Sequence, residues 1–257
     1  MTRGLARLVA ILGALWLTQA APAGASPFAD WAAVVVAGDW QSHDGGPTEA
    51  FDNARRDVVQ ALGALGFRRE NVRQFSVRPD RYRDRPQKAE VEAIYGAMSD
   101  LARQATGGCL LYLTSHGAPE GVVVDQDLLP PGVLGQMVEH TCGQRPTVVV
   151  ISACFSGGFV PALAAPNRMI LTAARRDRSS FGCGEADKYP YFDDCFLQAM
   201  PRAREFWGLG RQVQSCVAAR EQKEGMKPPS EPQLYVGGAL RPLLPLLPFG
   251  GSEPAAN

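Results

Sequence analysis

One histidine and one cysteine each follow directly on an apolar segment of this sequence. His116 lies in LLYLTSHGAPEG, where an apolar run that starts at Leu110 breaks into Thr-Ser-His-Gly. Cys154 lies in VVVISACFSGGF, one residue past a second apolar run. An imidazole can act as a general base or acid and a thiolate as a nucleophile, so this pair suits acyl transfer. That chemistry requires both side chains to reach one cleft, although they are far apart in the chain.

The elements that must position these side chains alternate between strand and helix. Segments whose apolar residues recur every three or four positions predict helices, one of them from Gln87 to Gln104, and a hairpin is predicted in EGVVVDQDLLPPG. The predicted strands are WAAVVVAG, NVRQFSV, CLLYLTSHG, TVVVISACF, RMILTAA and PQLYVGG. This alternation favours an α/β fold with a parallel sheet covered on both faces.

The two most apolar strands end at Thr114 and Ala153 and are expected at the centre of the sheet, because parallel strands buried on both faces are apolar throughout. Ligand sites in such sheets lie beyond the carboxyl ends of the strands. His116 and Cys154 are therefore expected to share one cleft. Gly117 leaves room beside the imidazole, and the amides of Gly117 and Cys154 are expected to bind an oxyanion. The structural alternatives are a turn histidine and a buried or disulfide-bonded cysteine.

The overall composition excludes several classes of function. The chain has 257 residues, 46% of them hydrophobic, and a formal net charge of zero. It is long enough for one large domain with a real core, and nothing global indicates a nucleic-acid partner. The six cysteines form no CxxC pair and no zinc pattern, so neither a metal nor another cofactor is expected.

The first residues have the layout of a secretory signal peptide. Arg3 and Arg7 precede an apolar run from Leu8 to Leu17, and an A-x-A site predicts cleavage after Ala25. The alternative, an uncleaved anchor, is disfavoured because the run is shorter than the ~20 residues of a spanning helix. We expect a signal peptide at 1–25, a catalytic domain at 26–240 and a proline-rich irregular tail at 241–257. The mature protein is expected to be exported to the periplasm or the medium of a bacterium, to judge from the style of the signal.

Export makes disulfides the ordinary state of the remaining cysteines. Cys183 and Cys195 flank a loop and are a candidate pair, as are Cys109 and Cys142, each of which precedes a central strand. Cys216 would then be left over. Sequence alone cannot determine the connectivity, so these pairings are hypotheses.

The two chemical motifs resemble those of the legumain-like cysteine peptidases of the caspase–haemoglobinase clan, which also includes the catalytic subunit of the GPI transamidase. The similar blocks are the strand followed by S-H-G, the strand followed by S-A-C-x-S-G, the helix FDNARRDVVQALGALGF and the segment LTAARRDRSSFGC. The resemblance extends from about Val34 to Gly237. It implies a caspase-like three-layer α/β/α sandwich with a mostly parallel, about six-stranded central sheet.

By that resemblance His116 is the catalytic histidine, Cys154 the nucleophile and Gly117 the oxyanion-hole glycine. Ser179 and Ser180 match the paired serines beside the specificity pocket.

Two departures from the family pattern affect the site. The loop after the first strand has Trp40 where legumain has a histidine-orienting asparagine, so Asp39 is the candidate for that role. Arg178 stands where the legumain pocket has a glutamate just before the serines. If Arg178 lines the pocket, an acidic residue would be favoured at the position before the cut (P1). The alternative, in which Arg178 points to solvent, leaves P1 open.

The resulting hypothesis is an exported cysteine endopeptidase that hydrolyses peptide or protein substrates through a thioacyl-enzyme, with asparagine or an acidic residue at P1. A transpeptidase of the same family and a non-catalytic caspase-fold binding protein are the alternatives. After signal cleavage no stable membrane anchor is expected, and the sequence does not indicate the oligomeric state.

Overall fold

The computed structural model describes residues 26–249, and its centre is a seven-stranded sheet between two layers of helices. The ten strands of the described chain are β1 Trp31–Ala37, β2 Val72–Ser76, β3 Gln87–Lys88, β4 Gly108–Thr114, β5 Gly117–Ala118, β6 Gly121–Val124, β7 Asp127–Leu129, β8 Thr147–Ser152, β9 Arg168–Thr172 and β10 Gln233–Val236. The large sheet has the order β10-β9-β8-β4-β1-β2-β3, and β5, β6 and β7 form a small separate sheet. Every pairing in the large sheet is parallel except that of β10 with β9.

The three central strands β1, β4 and β8 are buried along their whole length. Helices cover both faces of these strands, which explains why their sequences are apolar throughout instead of alternating. The central placement predicted for the strands before His116 and Cys154 is confirmed, because β4 and β8 are direct neighbours.

Six α-helices form the two outer layers: α1 Ala50–Leu65, α2 Val91–Gln104, α3 Pro131–Cys142, α4 Val160–Leu163, α5 Tyr191–Ala199 and α6 Phe206–Glu224. Helices α1, α5 and α6 share one core with one face of the sheet, through side chains such as Leu62, Phe196 and Leu209. Helices α2, α3 and α4 share the other core, through Leu101, Leu134 and Leu163. The predicted α/β/α sandwich is confirmed.

The helix predicted from Gln87 begins later than expected. Gln87 and Lys88 pair in parallel with Phe75 and Ser76 as the edge strand β3, and the helix starts at Val91. This two-residue strand is too short to give a periodic signal, and it accounts for the seventh strand in a sheet expected to have about six.

One of the two hypothetical disulfides forms and the other does not. Cys109 and Cys142 are bonded, with their Cα atoms 6.0 Å apart. Cys195 pairs with Cys216 and not with Cys183, because the pairing joins two helices, α5 and α6, that pack side by side. Cys154 and Cys183 are free thiols.

The predicted signal peptide at 1–25 lies outside the described residues. In the segment predicted as an irregular tail, a 3-10 turn spans Leu244–Leu246, and Leu244 and Phe249 are buried in the core. Between Ser26 and Phe249 no helix combines the length and the apolar character needed to cross a membrane.

Candidate active site

The carboxyl ends of β4 and β8 place the histidine and the cysteine at the same edge of the sheet. Thr114 and Ser152 are register partners, and the Ser115 N–H continues the pairing by donating to the Ser152 carbonyl at 3.0 Å. His116 and Cys154 each follow two residues after that last pair, so side-chain alternation directs both toward the same face. The strand register therefore places the two motifs at the same end of the sheet.

His116 is held by the backbone of the loop after β1. Its Nε2 lies 2.8 Å from the carbonyl oxygen of Gln41. Because a carbonyl can only accept, we assign the proton to Nε2, which leaves Nδ1 of the neutral ring free to take a proton. The Phe51 ring packs edge-on against the imidazole, with centroids 5.1 Å apart, and restricts its rotation.

Asp39, the candidate for orienting His116, contacts a different group. Its Oδ1 accepts hydrogen bonds from the backbone N–H groups of Trp40, at 2.6 Å, and Gln41, at 3.0 Å. These bonds shape the turn that presents the Gln41 carbonyl to the imidazole. The orienting contact thus comes from a backbone carbonyl rather than from the Asp39 carboxylate, a placement that depends on loop geometry and has no side-chain signal in the sequence.

Cys154 lies in a sharp turn between β8 and a 3-10 turn at Ser156–Phe159. Phe155 adopts a left-handed conformation with φ 59°, which is strained for a non-glycine residue and turns the chain away from the strand. The Phe155 N–H donates to the Arg178 carbonyl at 2.8 Å, and Gly157 N–H donates to the Ala174 carbonyl at 2.8 Å. The turn is therefore supported by the segment that follows β9.

The Cys154 thiol faces Ser180 of that same segment. Its Sγ accepts a hydrogen bond from the Ser180 N–H at 3.2 Å, and the Ser180 hydroxyl and carbonyl oxygens are each 3.6 Å away. Ser179, next to it, is exposed. One of the paired serines therefore touches the thiol, and the other is open to solvent.

Gly117 is required by the close approach of the histidine and cysteine segments. A Cβ at this position would lie 2.3 Å from the Cys154 carbonyl oxygen and 3.0 Å from the Ala153 Cβ. Any side chain here would push the two strand ends apart. The glycine thus keeps its own amide close to the turn that carries the nucleophile.

Arg178 neither extends freely into solvent nor forms a strong ion pair. Its side chain is 25% exposed, and Nη1 is 3.3 Å from Asp177 Oδ2. Its Nε is buried and has no hydrogen-bond partner among the described residues. Asp177 is mainly bonded by Arg175, which also binds Glu231 at 2.8 Å. The Arg175 hydrogen bonds hold the pKa of the Asp177 carboxyl below its ordinary value.

A cavity of about 760 Å³ lies beside the nucleophile turn. Its lining joins an apolar floor to a charged rim and consists of Gly157, Val160, Pro161, Arg175, Arg176, Asp177, Gln233, Leu234 and Tyr235. A cleft of this size is in the range of ligand-binding sites. Neither His116 nor Cys154 is among the residues that line it.

A second thiol and imidazole lie near the site and were not assigned a role from sequence. Cys183 Sγ is 4.0 Å from Nδ1 of the His43 ring. The backbone N–H of His43 donates to the Cys183 carbonyl at 3.3 Å. Burial, together with the nearby negative charges of Cys154 and Asp187, raises the pKa of the Cys183 thiol to about 11. Cys183 therefore stays protonated at neutral pH and is a poor nucleophile.

Sequence reasoning also missed a buried carboxylate beneath the strand ends that precede His116 and Cys154. Asp193 on α5 accepts hydrogen bonds from Tyr112, Thr114 and Ser152. The available signal was the presence of hydroxyl side chains at three positions in otherwise apolar central strands. No group of three or more histidine, cysteine or carboxylate side chains within residues 26–249 is placed to hold a metal ion.

Comparisons with known proteins bear on the family and on the fold. Residues 90–212, which contain His116, Cys154 and the paired serines, match the Peptidase C13 family. Among solved structures, caspase-1 from Spodoptera frugiperda superposes with a TM-score of 0.60 at 15% identity, over 83% of this chain and 88% of that chain. That likeness shows the fold. No curated protein matches the sequence. The chain therefore has a caspase-like fold, and its residues 90–212 are similar to the Peptidase C13 family, which supports a legumain-like, cysteine-type peptidase.

Proposed function

We propose that the protein is an exported cysteine endopeptidase in which His116 and Cys154 form the catalytic dyad. The observation that carries this proposal is the register of β4 and β8, which brings a free thiol and an imidazole with an open Nδ1 to one strand edge. Two disulfides among the described residues support export, because such bonds persist in oxidising compartments.

The chemistry proceeds in two halves. Nδ1 of His116 takes the thiol proton, and the sulfur of Cys154 forms a C–S bond with the substrate carbonyl carbon. The N–H groups of Gly117 and Cys154 stabilise the oxyanion. The C–N bond then breaks as His116 gives its proton to the leaving amine. Water, deprotonated by His116, attacks the thioester, the C–S bond breaks and the proton returns to sulfur.

The test compares residues 26–257 with two matched cysteine variants, Cys154→Ala and Cys183→Ser. Each protein is incubated with a diverse peptide mixture, and the new termini are identified by mass spectrometry. Cleavage is expected from the wild type and from Cys183→Ser, and none from Cys154→Ala. Equal cleavage by all three proteins would refute the dyad and point to a contaminating peptidase.

The same experiment reports the P1 residue, for which asparagine and acidic residues are the candidates. The Arg178 side chain supports an acidic preference, since it is 25% exposed and its contact with Asp177 Oδ2, at 3.3 Å, is weak, so that its guanidinium can bind a substrate carboxylate. Arg178→Gln is then expected to lower the rate of cleavage after acidic residues about tenfold, whereas Arg103→Gln, an exposed arginine on α2, leaves it unchanged. Cleavage after asparagine by both the wild type and Arg178→Gln would show that Arg178 does not line the pocket.

Transpeptidation is tested by adding an amine acceptor to the peptide mixture. A thioacyl-enzyme that prefers amines to water yields ligated products at low acceptor concentration, whereas a hydrolase yields free acids. The non-catalytic alternative predicts peptide binding that survives Cys154→Ala and no new termini with any of the proteins.

A further inference from the structure

A fully buried carboxylate lies directly under the site. Asp193, in the first turn of α5, has no exposed surface. The Tyr112 hydroxyl donates to its Oδ1. Its Oδ2 accepts from Thr114 Oγ1 at 3.1 Å and from Ser152 Oγ at 2.6 Å. One oxygen atom thus joins two neighbouring strands.

The bridged pair is the last one before the dyad. Thr114 and Ser152 face each other in the register of β4 and β8, and His116 and Cys154 follow two residues later on each strand. Because successive side chains alternate between faces, the bridge lies on the face of the sheet toward which the dyad side chains project. A change in the distance between Thr114 and Ser152 would be transmitted to the dyad within two residues.

Helix α5, which carries the bridge, is itself tied to the segment that contacts the thiol. The N–H of Tyr191, the first residue of α5, donates to the Phe181 carbonyl at 2.9 Å. Ser180, the residue before Phe181, donates its backbone N–H to Cys154 Sγ. The Cys195–Cys216 disulfide holds the same helix against α6. The helix that carries Asp193 is therefore held by two separate constraints.

We propose that Asp193 is a positioning residue that sets the spacing of His116 and Cys154 by bridging the ends of β4 and β8. The inference rests on the proposed dyad. The residue does not touch the reacting atoms, and it acts only through Thr114 and Ser152.

Among residues 26–249 no basic side chain is hydrogen-bonded to Asp193, and three hydroxyl groups donate to its carboxylate. Burial raises its pKa to about 6, and hydrogen bonds from Ser152, Tyr112 and Thr114 oppose that rise. From β4, Tyr112 is the titratable group that faces it, and burial together with Asp193 keeps the pKa of Tyr112 well above its ordinary value. On α5 and α6 the nearest ion pair, Asp194 with Arg220, is partly exposed. Above about pH 6 the carboxylate accepts from both strands at once.

The test uses Asp193→Ala and Asp193→Asn, with Asp194→Ala as the control. All are made with Cys183→Ser, so that Cys154 is the free thiol. Alanine removes the bridge, whereas the Asn amide still donates to both hydroxyls, which can accept. We expect kcat to fall about 30-fold or more in Asp193→Ala with KM changed less than threefold, since small misplacements of reacting groups are costly. Asp193→Asn is expected to recover most of kcat, and Asp194→Ala to match the parent.

A second readout does not depend on peptidase activity. The rate at which iodoacetamide alkylates Cys154 at pH 7 depends on an imidazole that takes the thiol proton, whereas at pH 10 hydroxide removes it. In Asp193→Ala the rate at pH 7 is expected to fall about tenfold and the rate at pH 10 to stay unchanged. If the Cys183→Ser parent is alkylated rapidly at pH 7 and Asp193→Ala slowly, but the parent cleaves no peptide, the proposed peptidase function fails and the positioning role stands.

Further variants keep the proposal testable if Asp193→Ala does not fold. Ser152→Ala and Thr114→Val each remove one end of the bridge and leave Asp193 in place, and each is expected to lower kcat and the alkylation rate at pH 7 severalfold. A folded Asp193→Ala protein with kcat and alkylation rates within twofold of the parent would overturn the inference. So would an Asp193→Asn variant as impaired as Asp193→Ala, because the charge and not the bridge would then matter.

Discussion

Two buried carboxylates, Asp52 on α1 and Asp193 on α5, lie in the same helical layer but are stabilised differently. Asp52 is 2% exposed and pairs with Arg55 Nε at 2.8 Å, and Ser76 Oγ donates to it at 3.0 Å. The side chains that donate to Asp193 within residues 26–249 are three hydroxyls, and none of them carries a charge. Burial raises the pKa of both carboxyls, but Arg55 works against that rise at Asp52.

The difference shows what each arrangement is suited to do. A carboxylate with its own buried cation stays ionised and contributes to stability, provided that the cation remains. A carboxylate held by hydroxyls can gain a proton near neutral pH without losing its neighbours, because hydroxyls both donate and accept. The first arrangement joins α1 to β2, and the second joins α5 to the ends of the two strands that precede His116 and Cys154.

The largest expected effect comes from removing the cation. Arg55 is fully buried and also binds Asp84 at 2.7 Å, so Arg55→Leu leaves Asp52 buried and unpaired. We expect a loss of about 3–5 kcal/mol in the free energy of unfolding, measured by urea denaturation. Arg103→Leu, which removes an exposed partner of Asp100, is expected to cost less than about 0.5 kcal/mol. An equal loss of unfolding free energy in Arg55→Leu and Arg103→Leu would show that Asp52 does not depend on its buried cation.

The next effect is the pH dependence of stability that Asp193 contributes. Its pKa rises from 3.8 to about 6 on folding, and a shift of about 2 units corresponds to about 3 kcal/mol. The folded state binds the proton more tightly, so this stabilisation is complete below about pH 4 and is lost as the pH rises through about 6. Carboxyls with a lowered pKa, such as Asp84, act in the opposite sense. We therefore expect the wild type minus Asp193→Asn difference in unfolding free energy to fall by about 3 kcal/mol between pH 4 and 7, and a flat difference would contradict the raised pKa.

A smaller effect is expected from removing one hydroxyl from each site. Ser152→Ala takes away one of three donors to a carboxylate without a cation, and we expect it to cost about 2 kcal/mol at pH 7. Ser76→Ala leaves Arg55 on Asp52 and should cost about 1 kcal/mol. Thermal unfolding of both variants at pH 7 and pH 5 measures the difference, which should narrow at pH 5, where Asp193 is protonated. A larger loss in Ser76→Ala would reverse the ranking of the two sites.

The smallest effect concerns the residue next to Asp193. Asp194 pairs with Arg220 while both side chains are more than a quarter exposed, at 27% and 29%. Asp194→Asn is expected to cost less than about 1 kcal/mol, and the cost should shrink in 0.5 M salt because solvent screens the pair. The effects at Asp193 should be insensitive to salt. Salt-sensitive effects at both residues would mean that water reaches the buried carboxylate.

The sequence predicted the sheet, its central strands and the family because those features are local patterns or motifs. Apolar runs identify β4 and β8, and the motifs at their ends identify His116 and Cys154. The two-residue strand β3 and the Cys195–Cys216 bond could not be predicted, because each depends on which elements pack side by side.

The contacts that hold His116 and the burial of Asp193 depend on backbone geometry, which no residue type or motif indicates. The group that holds His116 is the backbone carbonyl of Gln41. Because every residue has a backbone carbonyl, only the conformation of the loop decides which one contacts the imidazole. Asp193 is one of two adjacent aspartates in a helix, and only its rotation about the helix axis decides that it is buried while Asp194 faces Arg220.

The aromatic contact between Phe28 and Phe249 brings the two ends of the described chain together. Their ring centroids are 5.9 Å apart, and Phe28 also packs against Trp31, the first residue of β1. This contact therefore lies at the amino end of β1, whose opposite end, about 20 Å away for a strand of this length, leads into the loop that contacts His116. A fluorophore or surface tether placed at either end would stay clear of the cleft, and a short linker between the ends would allow the chain to be circularly permuted around an undisturbed active site.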